Sequence, residues 1–383
     1  MKIAYAMFGE GSNIKFKKGP GDYVYRNLIN NGAELFPVGG EPENHELYLK
    51  GKTAIYRILG KRFIRQRTPL YLKTAVRKIE SQLEHLEYDC IFSFGALQLA
   101  YINTDKPFFF WTDTPFQGLL EFGHSHYKNI AAQSISDGHT ADKWVLDNCK
   151  LAFYTSQWAA DLAINTYNIP REKVIVVPFG ANLDTYPSQD EIEEFIQYRI
   201  KNKSEVKFLL AGNNWEFKGG PIACEVVEEL NKRGIKSKLQ VIGCTPQISY
   251  RFAPYVELLG VVNKNTPEGY TKFCQLFSEA FCYLMPTRAE AYGHVFAEAN
   301  AFGLPALGTN TGGVTEIIKD GLNGKAFKLT ASINEYCDYI QNLYENDDLY
   351  IQMCLDSYTE FLNRFVWQDN CRKVLDIIQA NLS

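Results

Sequence analysis

No apolar run in this 383-residue chain approaches the roughly 18–20 residues needed to cross a bilayer, which excludes a helical membrane span. The opening, M-K-I-A-Y-A-M-F-G-E-G, has one lysine and a short apolar run that stops at glycine. A secretory leader needs a longer apolar region and a small-residue cleavage site, so this segment reads as a first β-strand. The nine cysteines are odd in number, scattered, and without a C-x-x-C pair. That argues against a disulfide framework and a zinc site, and for reduced, mostly buried thiols in a cytoplasmic protein. His124 and His126 form H-S-H with no third ligand in view, so no metal is expected. Internal repeats and low-complexity tracts are also lacking, which excludes a solenoid.

What is present describes two ordinary globular domains: 46% hydrophobic and 22% charged residues over a length too great for one core. The net charge of −4 offers nothing to a nucleic acid, and it is unevenly spread: +3 over residues 1–176 and −7 over 177–383. The basic excess lies at residues 52–78, where nine lysines and arginines from Lys52 to Lys78 meet no acid and are interleaved with Ile55, Leu59, Phe63, Ile64, Leu70 and Leu72. Such a segment suits an anionic membrane, a phosphorylated acceptor, or simply a solvated helix face.

Strand-like runs alternate with helix-length segments throughout, the pattern of parallel sheets covered on both faces. Strands are expected at residues 3–8, 34–38, 90–94, 108–112, 151–155 and 174–177. A second series is expected at 206–211, 239–242, 256–259, 281–285 and 306–308. Helices are expected near 22–31, 74–86 and 221–233, and over the last ~50 residues, with 367–382 as a closing helix. The polar stretch 187–204 shows no strand pattern, which places an inter-domain connection at 183–204. The domains are then 1–182 and 205–365, with 366–383 returning to the first. Two doubly wound halves place a ligand between the carboxyl ends of their sheets.

The most informative stretch is E-A-Y-G-H-V-F-A-E, residues 290–298: two glutamates eight positions apart, bracketing Gly293. A helix start beside a glycine presents unpaired amides and a positive dipole end, suited to a diphosphate. Carboxylates on either side accept hydrogen bonds from the hydroxyls of a sugar and a ribose. A second region, A-G-N-N-W-E-F-K-G-G at 211–220, follows an expected strand and opens a helix. There Gly212, Asn213 and Asn214 would turn amides toward phosphate, and Lys218 would set a positive charge against it. The alternative for Lys218 is an exposed lysine beside a turn.

Together with the Gly-Leu-Pro at 303–305 and the Gly-Gly-x-x-Glu at 312–316, these motifs resemble glycosyltransferase family 4, whose members are retaining enzymes of the GT-B fold. Thr155-Ser156-Gln-Trp and Pro178-x-Gly180-x-Asn182 are further echoes, in the first half. The resemblance implies an α/β fold of two Rossmann-like doubly wound domains facing across a cleft, the first on the acceptor side and the second binding the nucleotide sugar. It implies that Glu290 contacts hydroxyls of the donor sugar. Tyr292, Gly293, His294 and Val295 would offer backbone amides to the phosphates, and Glu298 would accept from the ribose. It implies a clamp of arginine and lysine on the leaving nucleotide. Lys218 and Gly219 match, but Asn213 or Asn214 stands where the arginine belongs, so His294, Arg288 or the other domain would supply that charge. Asp113, at the end of F-F-F-W-T-D-T-P-F, takes the place of a family histidine; it could bind a hydroxyl, act as a base, or cap its turn. The Gly9–Asp22 loop, with Lys15, Lys17 and Lys18, lies where the family has a phosphate-side loop, or is a plain loop. No two aspartates stand two residues apart, unlike metal-bridged GT-A enzymes.

The expected function is thus metal-independent transfer of a hexosyl group, with no cofactor, from a nucleotide-diphosphate sugar, UDP preferred on frequency alone. The acceptor is a glycan, a lipid-linked sugar or a small molecule, and residues 52–78 give a peripheral contact with the inner face of a membrane. A sugar-nucleotide epimerase using Asp113 with His124 or His126, and a non-catalytic sugar-nucleotide-binding protein, are the alternatives.

Overall fold

A computed structural model describes residues 1–8, 19–40, 46–122 and 127–382. The chain divides into two units: Met1–Phe179 with Trp367–Ser383, and Gly180–Val366.

The first unit runs β1 (Lys2–Met7), α1 (Pro20–Asn30), β2 (Glu34–Gly39), α2 (Glu46–Ile58), α3 (Pro69–Leu83), β3 (Cys90–Phe94), β4 (Phe108–Thr112), α4 (Phe116–Glu121), α5 (Ala132–Asn148), β5 (Leu151–Tyr154), α6 (Gln157–Tyr167) and β6 (Val174–Val176). Its six strands are parallel, in the order β2-β1-β3-β4-β5-β6. Central strands covered on both faces read as unbroken apolar runs, and Phe108, Phe109, Phe110 and Trp111 of β4 are all buried. Trp111 donates its indole N–H to the Val177 carbonyl at 2.9 Å.

The second unit runs α7 (Gln189–Lys201), β7 (Val206–Ala211), α8 (Gly220–Lys232), β8 (Ser237–Ile242), β9 (Val256–Leu258), α9 (Pro267–Glu279), β10 (Cys282–Leu284), α10 (His294–Ala301), β11 (Ala306–Thr309), α11 (Val314–Ile317), β12 (Gly324–Phe327), α12 (Ile333–Glu345) and α13 (Asp347–Arg364). These six strands are again parallel, ordered β12-β11-β10-β7-β8-β9. The chain then returns as α14 (Trp367–Ala380), which packs on α1. There Trp367 stacks on Tyr23, and the Asn31 amide donates to the Gln368 carbonyl at 2.9 Å. All nine cysteines are free thiols, seven of them buried.

Every strand expected from the sequence forms within two residues of its expected bounds. The short strand β12 was not anticipated. Half of its four residues are glycine and lysine, and it is seated by geometry: a Cβ on Gly324 would lie 1.9 Å from the Ala306 carbonyl oxygen. Helix α5 also carries little pattern, because it turns polar residues inward. Asp142 accepts from Arg67 at 2.9 Å and from the Phe116 amide at 2.6 Å.

The connection expected at 183–204 is corrected. Residues 189–201 form α7, opened by a Ser188–Glu191 capping box, and they lie within the second unit. Its surface is acidic and polar, but Ile192, Ile196 and Arg199 are buried. Arg199 is 2% exposed and donates to four carbonyls: Phe277 (3.0 Å), Ser278 (2.9 Å), Phe302 (2.9 Å) and Gly303 (2.7 Å). These oxygens belong to the last turn of α9 and the residues just past α10, where carbonyls lack helical partners and the dipole is negative. A guanidinium buried without a carboxylate is thereby satisfied by two helix ends. Arg199→Leu leaves four buried acceptors bare and should cost roughly 3–5 kcal/mol in chemical denaturation, with Arg199→Lys in between. A variant as stable as the parent would remove this account of how α7 is held.

Candidate active site

Parallel strands bring their carboxyl ends to one edge, and in the second sheet the order reverses between β10 and β7. Ligands of doubly wound sheets bind at such a reversal, where neighbouring loops splay apart. The loop after β7 carries Lys218, and the loop after β10 carries Glu290. They are zipped together by backbone. The Arg288 amide donates to the Phe217 carbonyl at 2.7 Å, and Thr287 Oγ1 lies 3.0 Å from the same oxygen. Gly219, at φ 73°, comes so close that a Cβ would sit 1.9 Å from the Pro286 carbonyl oxygen. Only glycine fits both the conformation and the space.

Within this frame Lys218 Nζ and Glu290 Oε2 form a hydrogen-bonded ion pair. The lysine stem runs along Gly212, where a Cβ would fall 2.7 Å from Lys218 Cγ. Glu290 is held by its own loop, since the Gly313 amide donates to the Glu290 and Ala291 carbonyls at 3.3 and 3.1 Å. Gly293, at φ 95°, then heads α10 with no side chain to cap the helix-start amides. Glu298 follows five residues on, 3% exposed, and accepts from Lys264 Nζ at 2.7 Å. Lys264 also donates to the Asn182 carbonyl at 3.2 Å. Burial pushes the Glu298 carboxyl above its usual range, opposed by Lys264 and by the Asn182 backbone.

Lys264 is not among the candidate residues that the sequence motifs point to. The signal was there: a lone cation after β9, at the edge where β7 and β10 also end. Conversely, of the two substitutes named for the clamp arginine in this unit, His294 does not offer a charge. His294 Nδ1 lies 3.3 Å from the Gly180 carbonyl, so it carries the proton, and burial lowers the ring's pKa from 6.5 to about 4. The imidazole is neutral at pH 7. Arg288 is exposed and donates to the Leu329 carbonyl at 3.0 Å. Asn213 is exposed, and Asn214 Oδ1 accepts from the Phe217 amide at 3.2 Å, a turn-forming role. Tyr292 is buried with its ring edge-on to His294, and Val295 lies in the first turn of α10.

Residues 169–354 match the family model described as "Glycosyl transferases group 1". This part of the chain is similar to the group 1 glycosyl transferases. It contains Lys218, Lys264, Glu290 and Glu298, and it agrees with the family 4 resemblance carried by the motifs. A D-inositol 3-phosphate glycosyltransferase of Corynebacterium aurimucosum is 24% identical over 237 residues, 59% of this chain and 56% of that protein. The chain thus spans about half the length of the curated relatives it matches. Two solved structures superpose on nearly the whole chain. Sucrose-phosphate synthase of Thermosynechococcus elongatus has a TM-score of 0.67 at 16% identity, covering 99% of this chain and 98% of that one. HepE of Anabaena in complex with UDP has a TM-score of 0.67 at 16% identity, covering 99% and 100%. The fold is GT-B.

The matched segment therefore gathers Lys218, Lys264, Glu290 and Glu298, while Asp113 sits half-buried after β4 in the first unit. His124, His126 and the lysines of the Gly9–Asp22 loop lie outside the described residues.

Two measurements probe this electrostatic frame. Lys264→Met leaves Glu298 buried without its cation and should cost about 2 kcal/mol of stability. Adding Glu298→Gln should return most of the loss, and an undiminished single variant would mean that the pair contributes nothing. His294 has the opposite pH signature to a salt-bridged histidine, whose pKa the fold would raise. The unfolded ring takes up a proton near 6.5 that the folded one refuses until about 4, so stability present above 6.5 is lost as pH falls toward 4. His294→Gln should flatten that part of the stability–pH curve, and an unaltered slope would refute the neutral imidazole.

Proposed function

We propose that this chain is a retaining hexosyltransferase that takes a nucleoside-diphosphate sugar as donor and a hydroxyl group as acceptor. The observation that carries this reading is the meeting of Lys218 with Glu290 at the strand-order reversal, Glu290 standing three residues before Gly293 at the head of α10. A diphosphate at that helix start would be met by backbone amides and by the Lys218 ammonium. The Glu290 carboxylate would then accept from sugar hydroxyls, and Glu298, held by Lys264, from the ribose.

In the proposed reaction the bond from the anomeric carbon to the β-phosphate oxygen breaks. The acceptor oxygen bonds to that carbon on the same face, and its proton passes to the departing phosphate. The residues contribute positioning and charge stabilisation, with no covalent glycosyl-enzyme on Glu290. Lysines, not a metal, would meet the charge of the leaving group. UDP is the favoured nucleotide because HepE, similar in fold, is solved with UDP and with UDP-glucose. The acceptor falls among glycans, lipid-linked sugars and small polyols; the similar D-inositol 3-phosphate glycosyltransferases illustrate the last. Cytoplasmic action at an anionic membrane, through the basic segment 52–78, completes the reading.

The test is a thermal-shift and hydrolysis panel over UDP-, GDP- and ADP-sugars, with and without chelator. A true donor at a hundredfold excess over its dissociation constant stabilises the fold by about 2.7 kcal/mol. Lys218→Ala and Glu290→Ala should lower turnover roughly a hundredfold or more with the melting curve retained. Glu298→Ala should chiefly weaken nucleotide binding. Parental rates in either of the first two variants, or an epimer formed from UDP-GlcNAc alone, would overturn the assignment.

A further inference from the structure

We infer that helix α2 is a membrane-docking element that lies flat on an anionic lipid surface. This rests on the membrane contact proposed above and relocates it: the docking face is residues 47–62, while α3 and its lysines serve another purpose. Leu47, Tyr48, Ile55 and Ile58 of α2, with Leu59 just after it, are 88%, 56%, 58%, 85% and 65% exposed. With Gly51 and Ala54, also exposed, they fill one arc of roughly 140° on the helix. The opposite side holds the helix down: Leu49 is buried, and the Tyr56 ring stacks on the buried Phe63 at 5.2 Å. A helix that turns its apolar arc outward instead of inward has the arrangement of an interfacial helix.

Charge identifies the occupant. Lys50 and Arg57 border the arc on one side and Lys52 on the other, its ammonium near the rings of Tyr48 and Phe63. At the end of the helix and just beyond it, Arg57, Lys61 and Arg62 line an open depression around the Gly60 turn. From Leu47 to Ile79 there are ten lysines and arginines and no acid. A second copy of this chain, or an acidic protein groove, would bring carboxylates to the cations but leave the apolar arc to find its own match. A bilayer with anionic headgroups supplies both, with acyl chains under the arc and phosphates at its cationic borders. By contrast, Lys73 of α3 lies over the Tyr101 ring, and α3 buries Leu72, Val76 and Ile79, the ordinary packing of a core helix. No described helix is long and apolar enough to cross a membrane, so the contact is peripheral.

The experiment is flotation of the full chain with phosphatidylcholine vesicles, with and without one third phosphatidylglycerol. The parent should float only with the anionic vesicles. Ile55→Ser with Ile58→Ser, and separately Lys50→Glu with Arg57→Glu, should each reduce the bound fraction at least tenfold. Both pairs are solvent-exposed, so melting temperature and UDP-sugar thermal shift should stay at parental values, and a variant that fails these controls is replaced by Leu47→Ser with Leu59→Ser. Absence of parental binding to anionic vesicles sinks the membrane contact altogether. Parental binding that survives the serine variants sinks the α2 assignment alone. A dimer of the parent that the serine variants dissociate makes the face a contact between copies. None of these outcomes touches the transferase reading, which the donor panel judges by itself.

Discussion

Two carboxylates on one loop-and-helix segment each face a lysine delivered by a different strand, and the second unit is arranged so that both meetings occur. Glu290 finds Lys218 from the loop after β7, and Glu298 finds Lys264 from the loop after β9. Lys218 arrives through close backbone contact. Gly219 lies against Pro286, Gly212 leaves room for the lysine stem, and a Cβ on Gly243 would fall 2.8 Å from the Gly212 carbonyl oxygen. Glycine at these strand ends lets three neighbouring loops approach more closely than side chains would allow. The charges follow from that approach.

The partners differ in burial, and so in what they can do. Glu298 is almost wholly enclosed, and enclosure raises its carboxyl pKa despite the Lys264 ammonium. That is a rigid acceptor, set once by the fold. Lys218 and Glu290 keep 21% and 14% of their side chains in contact with solvent, enough for a ligand to reach either one. Behind them, α7 fixes the background: Arg199 ties the last turn of α9 to the residues just past α10, so the helix that carries Glu298 is held at its far end. A site whose charged groups must be held within a few tenths of an ångström benefits from support of this kind.

Much of this was legible in the chain. Parallel strands buried on both faces leave unbroken apolar runs, so β4 and β7 announce themselves, and the E-A-Y-G-H-V-F-A-E segment marks a helix start between two acids. What escaped detection has physical reasons. Helix α7 looks like a connection because its buried side is only two isoleucines and an arginine, and that arginine is satisfied by carbonyls that no sequence pattern displays. Lys264 escaped because its partner is 34 positions away, and a pairing across two strands leaves no local spacing to read. The outward apolar arc of α2 was hidden in the opposite way: alternating apolar and basic residues suggest an amphipathic helix but not which face is covered.

On the proposed reaction, the Lys218–Glu290 pair imposes an order on donor binding. A lysine that donates to a carboxylate must share or surrender that bond when a diphosphate arrives, and the diphosphate as a whole carries more charge than the carboxylate it displaces. The exchange is favourable only if Glu290 finds new donors at the same moment, and the hydroxyls of a sugar on the diphosphate are such donors. A nucleoside diphosphate without its sugar would break the pair and leave the carboxylate facing an anion. The pair would therefore discriminate in favour of the intact donor over the spent nucleotide, which helps product to leave. The same logic gives Lys218 its larger role late in the reaction, since charge on the phosphate grows as the anomeric bond lengthens while that on Glu290 does not.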